Sequence, residues 1–195
     1  MSWYTIKTSR FFRGFKVQGV LKNTLFYYLV GGIFLLGVGL LFVAITLISN
    51  GYCGLVGVDK KSTGLLNLLT GSLSFIINTL YLSRGAYYDA GTGYLFAFTY
   101  LMVGLIYVFD LDMRIYGIFA LFVAINTIPA AYISFTVDGD WRFALIWLSW
   151  GILWMTGFIE YVLKKKIGKP VLYFAIFEGI VTCWIPGLLM LTNNW

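Results

Sequence analysis

The chain has 195 residues and a net charge of +6, and 60% of its residues are hydrophobic while only 11% are charged. A soluble domain of this length carries about a quarter charged residues, so the composition indicates a membrane protein without a soluble catalytic module. Two cysteines and no histidine are too few for a metal site, so we predict neither metal nor cofactor, and a protein that is not an enzyme.

The first 24 residues form a basic tail that holds five of the fourteen basic residues. Without this tail the net charge falls from +6 to +1, which leaves no basic surface for nucleic acid. The tail and the apolar run after it are laid out like a signal peptide. However, the run extends to Ser49, is too long for such a signal, and has no cleavage site of small residues before Asn50. We expect an uncleaved first span.

The charged residues divide residues 25–195 into six apolar segments with short loops between them. Each segment is long enough to cross a bilayer as a helix. We therefore predict an all-α membrane protein with one six-span domain. The predicted spans lie roughly at 25–49, 62–82, 92–109, 114–135, 141–163 and 170–191.

A short sequence in the first span recurs 80 residues later in the fourth. The segment LFVAI occupies residues 41–45 and again residues 121–125, and the second and fifth spans keep the same offset. A repeat of three spans inverts the second unit in the membrane, as in many transporters, whose solute site lies near the midplane. Chance matching among apolar residues is the alternative explanation of this inverted 3+3 repeat.

Three tryptophans of the fifth span, Trp147, Trp150 and Trp154, are three and four residues apart. A helix turns about 100° per residue, so this spacing places all three rings on one face. The column covers about 10 Å of helix rise, too much for a single interfacial belt of tryptophans. The face is either packed core or one wall of a passage for a solute that suits flat aromatic surfaces.

At the 80-residue offset, the three tryptophans correspond to the polar residues Asn67, Thr70 and Ser74 of the second span. As a hypothesis, this polar face is the opposite wall of the same passage. The alternative is that the three side chains form hydrogen bonds between neighbouring helices, as polar groups within membranes often do.

Two carboxylates lie inside the predicted spans. Glu178 is near the middle of the sixth span without a local basic partner, which favours a functional role or a buried polar network. Glu160 lies four residues before Lys164, so a helical ion pair explains it without a function. Pro186 removes a backbone N–H from the sixth span and frees the carbonyl of Thr182, which then needs another partner.

The predicted face of aromatic rings, amides, hydroxyls and one carboxylate suits a small, flat, neutral and polar solute. The predicted spans contain no rings of charge, which argues against an ion channel. A structural or assembly protein, in which the tryptophan face only packs helices, is the alternative from another functional class.

The basic residues of the loops predict the orientation. The first, third and fifth loops hold seven of them, whereas the second and fourth hold only Arg84 and Arg142. By the positive-inside rule the first set is cytoplasmic, and both ends of the six-span core lie outside. The basic tail is then on the wrong side. It either re-enters along the membrane surface or is an addition that does not set the topology.

Several segments between about Leu36 and Trp195 form a dense pattern. They are LISNG at 47–51, CGL at 53–55, VDKKST at 58–63, GYLFAFTY at 93–100, LFVAINTIPAA at 121–131, GDW at 139–141, FIE at 158–160, EGI at 178–180 and WIP at 184–186. In these segments the chain resembles the UreI/AmiS family of urea and short-chain amide channels. The resemblance implies a twisted six-span bundle, one solute path in each protomer, and a homo-hexamer in the lipid of the bacterial inner membrane.

The resemblance also implies which side chains line the path. They are Leu40, Val43, Leu47 and Asn50 of the first span, Phe96 and Tyr100 of the third, Trp147, Trp150, Leu153 and Trp154 of the fifth, and Glu178 of the sixth. This set agrees with the tryptophan column that the spacing alone predicts.

Two features depart from the family pattern. Acid-gated members carry long outer loops with histidine, whereas the loops at 83–93 and 135–141 are short and contain none, so we expect no acid gating. Family members begin near Leu35, so we expect residues 1–34 to be a non-native extension. The lead interpretation is a passive urea channel that supplies a cytoplasmic urease, and the alternative is a short-chain aliphatic amide channel linked to an amidase.

Overall fold

A computed structural model describes the backbone of residues 20–195 and the side chains from residue 31 onward. The predictions of a basic tail at 1–24 and of an upstream extension at 1–34 lie largely outside these residues and stay predictions. Throughout the described part of the chain the regular structure is helical.

Six helical spans form the bundle. The helices are α1 (Val20–Val56), α2 (Lys60–Ser83), α3 (Tyr87–Phe109), α4 (Arg114–Thr136), α5 (Trp141–Tyr161), α6 (Lys169–Phe177) and α7 (Ile185–Leu191). A π-helical segment, Glu178–Trp184, joins α6 to α7, and the three together form the sixth span, Lys169–Leu191. All six spans are long and apolar enough to cross a membrane, which confirms the predicted all-α, six-span architecture.

The first helix continues to Val56, well beyond the predicted end of the span at residue 49. Asparagine and glycine usually weaken a helix, but tertiary contacts hold both residues that follow Ser49. The amide of Asn50 pairs with the amide of Asn67 on α2. A Cβ atom on Gly51 would lie 2.4 Å from the carbonyl oxygen of Leu172, so only glycine allows α6 this close.

The six spans pack as three antiparallel pairs. Helix α2 packs along α3, α4 packs along α5, and α1 packs along the sixth span, whereas α5 touches the sixth span only lightly. The predicted 3+3 repeat requires α5 to pack on the sixth span as α2 packs on α3, and the structure differs from it here. The helix pair is therefore the packing unit of this bundle.

Glycines allow the close approach within two of these pairs. A Cβ atom on Gly71 of α2 would lie 2.7 Å from the backbone nitrogen of Leu101 on α3. A Cβ atom on Gly179 of the sixth span would lie 2.8 Å from the carbonyl oxygen of Ala44 on α1. Lipid offers no hydrophobic drive for helix association, so such close packing is a main source of stability between spans.

We expect Gly71→Ala to lower the melting temperature in detergent by roughly 2–10 °C, because overpacking a tight contact costs about 1–3 kcal/mol. The added methyl group meets the backbone of α3, which cannot move aside as a side chain can. Gly91→Ala on α3 is the matched control, since its Cβ atom would have no neighbour within 4 Å. Thermal unfolding followed by circular dichroism measures both variants, and equal melting temperatures would contradict this account of the packing.

Candidate functional site

The three tryptophans of α5 form one continuous buried face. Trp147, Trp150 and Trp154 expose 7%, 2% and 6% of their surface, whereas Leu148 and Ile152 on the other side of the helix expose 45% and 61%. The shared face follows from their spacing. The tryptophans point into the bundle and the leucine and isoleucine point outward.

The ring of Phe96 on α3 lies among all three indoles. Its centroid is 5.7 Å from that of Trp147, 4.7 Å from that of Trp150 and 4.8 Å from that of Trp154. The interplanar angles are 61°, 78° and 70°, so the contacts are edge-to-face, the arrangement that aromatic quadrupoles favour. Phe96 therefore joins α3 to the tryptophan face.

A cavity of about 60 Å³ lies beside this aromatic cluster. That volume is room for a few water molecules or one small solute. The cavity is lined by Leu47, Asn50, Asn67, Phe96, Thr99, Tyr100, Val103, Tyr116, Trp150, Leu153 and Trp154. Eight of these eleven side chains are among the predicted path or polar-wall residues.

The other predicted path residues lie next to the cavity without lining it. Leu40, Val43 and Trp147 are buried in the apolar core that continues the aromatic cluster. Glu178 is fully buried behind Trp150 and has no exposed surface. The structure thus brings the predicted set together in one region, with four of its members in the layer around the cavity.

Sequence reasoning missed three lining residues. Thr99 and Val103 follow Phe96 by three and seven residues on α3, the spacing of one helix face, so the same periodicity would have found them. Tyr116 lies in the first turn of α4, and no local pattern marks it as a lining residue. Only the packing of α4 against the other helices brings it to the cavity.

An asparagine pair supplies the amide groups at the cavity. Asn50 Nδ2 donates to Asn67 Oδ1 at 3.0 Å, and Asn67 Nδ2 donates to Asn50 Oδ1 at 2.7 Å. Asn67 uses its second N–H on the carbonyl of Thr63 at 2.9 Å. The second Nδ2 hydrogen of Asn50 and the hydroxyls of Tyr100 and Tyr116 have no hydrogen-bond partner among the described residues.

Two of the three indoles are fixed by hydroxyl acceptors. Trp150 Nε1 donates to Thr182 Oγ1 at 2.7 Å, and Trp154 Nε1 donates to Thr99 Oγ1 at 3.2 Å. Thr99 in turn donates to the carbonyl of Leu95 at 2.6 Å. These bonds set the ring orientations and use up donors that would otherwise be stranded in an apolar surrounding.

The other two residues of the predicted polar wall, Thr70 and Ser74, do not line the cavity. Thr70 Oγ1 lies 2.7 Å from Thr46 Oγ1 on α1, and a hydrogen bond joins the two hydroxyls. The backbone carbonyl of Ser74 accepts from Asn78 Nδ2 at 2.7 Å. For Thr70 the interhelical alternative describes the structure, and of the predicted polar wall only Asn67 lines the cavity.

Glu160 has a different partner from the one its spacing suggests. Its Oε1 atom accepts from the backbone N–H groups of Ile167 at 3.1 Å and Gly168 at 2.9 Å. The helix ends at Tyr161, and Lys164 has a positive φ of 55°, so Lys164 does not occupy the helical position needed for an ion pair. Glu160 instead orders the loop that leads into α6.

The opposite end of the aromatic column is tied to the C-terminus. Asp140 Oδ1 caps α5 by accepting from the N–H groups of Arg142 and Phe143, both at 3.1 Å. Its Oδ2 atom accepts from Trp195 Nε1 at 2.7 Å, and the Arg142 guanidinium lies 4.2 Å above the Trp195 ring. Phe143 then contacts Trp147 at 6.1 Å between centroids, which extends the aromatic face to this end.

A cavity with aromatic walls and paired polar groups, lined by five of the six spans, is typical of a membrane transport protein. The chain belongs to the AmiS/UreI family of transporters, whose model matches residues 35–194. The sequence resemblance to this family is thereby confirmed.

Relatives of the chain include a urea channel and a protein named as a putative amidate transporter. The acid-activated urea channel of Helicobacter pylori is 43% identical across 83% of this chain and its own full length. A putative amidate substrates transporter protein of Mycolicibacterium smegmatis is 36% identical across 82% of this chain and 78% of its own. The cryo-electron microscopy structure of the H. pylori urea channel in a closed state is 44% identical, with a TM-score of 0.77 over 82% of this chain and 99% of that one.

We expect Asn67→Leu to lower the melting temperature by roughly 2–10 °C, because it removes the partner of the half-buried amide of Asn50 at a cost of about 1–3 kcal/mol. Replacing both asparagines by leucine should restore part of the loss, since no amide is then left without a partner. Thermal unfolding of the wild type, both single variants and the double variant measures this coupling. Strictly additive losses would show that the two amides do not depend on each other.

Proposed function

We propose that the protein is a passive channel for urea and that the cavity on the tryptophan face is part of its path. The observation that carries the proposal is the lining itself, which combines flat aromatic rings with one amide N–H and two tyrosine hydroxyls. Urea is small, planar and neutral, and it offers a carbonyl acceptor and N–H donors around its edge. The hydroxyls and the amide replace water at that edge while the rings contact its faces.

The charge distribution supports a neutral solute. No lining residue of the cavity is charged, and Glu178 is buried behind the wall instead of facing the cavity. The ion pairs among the described residues, Arg114–Asp112 and Arg142–Asp140, lie at the ends of the bundle. An ion entering this cavity would lose its hydration shell without compensation, whereas a neutral amide would not.

A short-chain aliphatic amide is the second candidate solute. The sequence identity to the putative amidate substrates transporter protein of M. smegmatis supports it. Urea and short-chain amides both present a planar edge with a carbonyl oxygen and N–H groups. The higher identity to a urea channel favours urea as the lead. In this proposal a cytoplasmic urease consumes the urea that enters, or an amidase consumes the amide.

The membrane arrangement completes the proposal. Both ends of the six-span core lie outside a bacterial inner membrane, because the basic residues concentrate in the loops at the other end. The subunits form a homo-hexamer with one path in each protomer, as the family resemblance implies. The chain carries out no chemical reaction, and its role is passive transport down a gradient.

Stopped-flow light scattering on proteoliposomes tests the path. We expect Trp154→Ala to lower the permeability ratio of urea to butyramide severalfold, because removal of the indole widens the cavity and admits the larger amide. Trp184→Ala is the matched control, since Trp184 is 48% exposed on the outside of the sixth span. An unchanged ratio in a folded Trp154→Ala protein would remove Trp154 from the path.

We expect urea flux to vary by less than about twofold between pH 5 and pH 7.5, because the chain has no histidine. Burial, and then the negative charge of Asp140, raise the pKa of Asp138 outside the spans. The surroundings disfavour the ionised carboxylate of Asp138. Protonation at acid pH therefore removes an unfavourable charge and does not break a hydrogen bond. Flux measured at both pH values in wild type and in Asp138→Asn should give the same flat profile, and a steep acid activation would contradict it.

A further inference from the structure

The hydroxyl of Thr182 has three nitrogen or oxygen neighbours within 3 Å, and the weakly hydrogen-bonding Cys183 Sγ lies farther away at 3.5 Å. Trp150 Nε1 lies 2.7 Å from Thr182 Oγ1, the backbone carbonyl oxygen of Glu178 lies 2.6 Å away, and Glu178 Oε2 lies 2.9 Å away. On the other side of the carboxyl group, Ser149 Oγ donates to Glu178 Oε1. This cluster lies directly behind the aromatic wall, where Glu178 has no exposed surface.

A count of protons determines the direction of these bonds. A threonine hydroxyl has one proton to donate and two lone pairs that accept. The indole N–H of Trp150 can only donate, so it uses one lone pair of Thr182. The backbone carbonyl of Glu178 can only accept and is the nearest oxygen, so it takes the single hydroxyl proton. The contact between Thr182 Oγ1 and Glu178 Oε2 then needs a proton from the carboxyl group.

No positively charged side chain among the described residues lies beside Glu178. The residues that α1 packs at this level are Ala44 and Ile48, and α5 contributes Ser149 and Trp150. The titratable neighbours are Tyr100 on α3 and Cys183 on the sixth span, and both are neutral acids. An isolated carboxylate in such a medium is so costly that the group takes up a proton instead.

The local backbone places these groups. The π-helical segment begins at Glu178, and Ile185 N–H bonds the carbonyl of Ile180 five residues earlier. Pro186 has no N–H to donate to the carbonyl of Thr182, so the α-helical hydrogen-bond pattern is interrupted at this point. The π-helical segment ends next to this interruption. π-helical turns often occur at functional sites, and this one brings Glu178 and Thr182 onto the face that meets Trp150.

We propose that Glu178 is a neutral carboxylic acid that donates its proton to Thr182 Oγ1, so that Thr182 stays an acceptor for the indole N–H of Trp150. Glu178 is then a positioning residue. It holds the tryptophan ring in the wall through Thr182 and does not touch the solute. This assignment does not depend on which solute passes.

Infrared spectroscopy of the reconstituted full-length protein tests the protonation state directly. At pH 7.5 we expect a C=O stretching band of a protonated carboxylic acid that disappears in Glu178→Gln. Glu160→Gln is the matched control, because Glu160 accepts two backbone N–H bonds at the end of α5, away from Thr182, and its loss should leave the band in place. Absence of the band in wild type, or its survival in a folded Glu178→Gln protein, would overturn the proposal.

Thermal unfolding as a function of pH gives a second, independent measurement. A carboxyl group that stays protonated in the folded protein ionises in the unfolded chain, so stability falls as the pH rises above the ordinary pKa of glutamic acid. The melting temperature of wild type should therefore fall relative to that of Glu178→Gln from pH 5 to pH 8. A difference that stays constant across this range would mean that Glu178 carries the same charge in the folded and unfolded states, and would overturn the proposal. Neither readout requires solute flux, so a failure of the channel assignment leaves both interpretable.

Conservative and non-conservative variants separate positioning from packing. Thr182→Val keeps the shape of the side chain but removes the acceptor of Trp150, so we expect the near-ultraviolet circular dichroism of the tryptophans to weaken severalfold. Thr182→Ser keeps the hydroxyl and should restore that signal. If valine and serine give the same spectrum as wild type, the hydroxyl does not position the ring, and the proposal fails on that step.

Discussion

The wall of the cavity depends on giving every polar group a partner without bulk water. Tryptophan contributes a large flat surface, but each buried indole N–H needs an acceptor. Two threonine hydroxyls, on α3 and on the sixth span, meet this need for Trp154 and Trp150. The same two bonds join three helices that belong to different pairs. The same contacts thus give the two indole N–H groups their acceptors and hold three helices together. The aromatic face exists only when all three helices are in place.

Most of the architecture could be predicted from the sequence because length and hydropathy determine membrane helices. The tryptophan face could be predicted because helical spacing determines which side chains share a side. Tertiary contacts determine the rest. The extension of α1 past Asn50 depends on the hydrogen bonds between Asn50 and Asn67. The hydrogen bonds of Glu160 with the following loop depend on the end of α5 at Tyr161. The role of Thr182 was hidden because a lone threonine in an apolar span has no distinctive pattern.

The comparison with the H. pylori urea channel distinguishes the helical frame from the segments outside it. The alignment with the H. pylori urea channel is 195 positions long but takes in only 83% of this chain, so that protein has segments without a counterpart here. The helices nevertheless superpose with a TM-score of 0.77. Segments can therefore differ between members while the helical frame persists. A regulatory property that depends on additional segments is physically separable from the helical frame around the cavity.

The pairing of α1 with the sixth span has a consequence for biosynthesis. The ribosome delivers the first span to the membrane early, yet its partner is the last to emerge. Until then the face of Gly51 on the first span has no helix against it, and the acceptor for Trp150 is missing. A nascent or truncated chain without the sixth span therefore contains no finished aromatic wall.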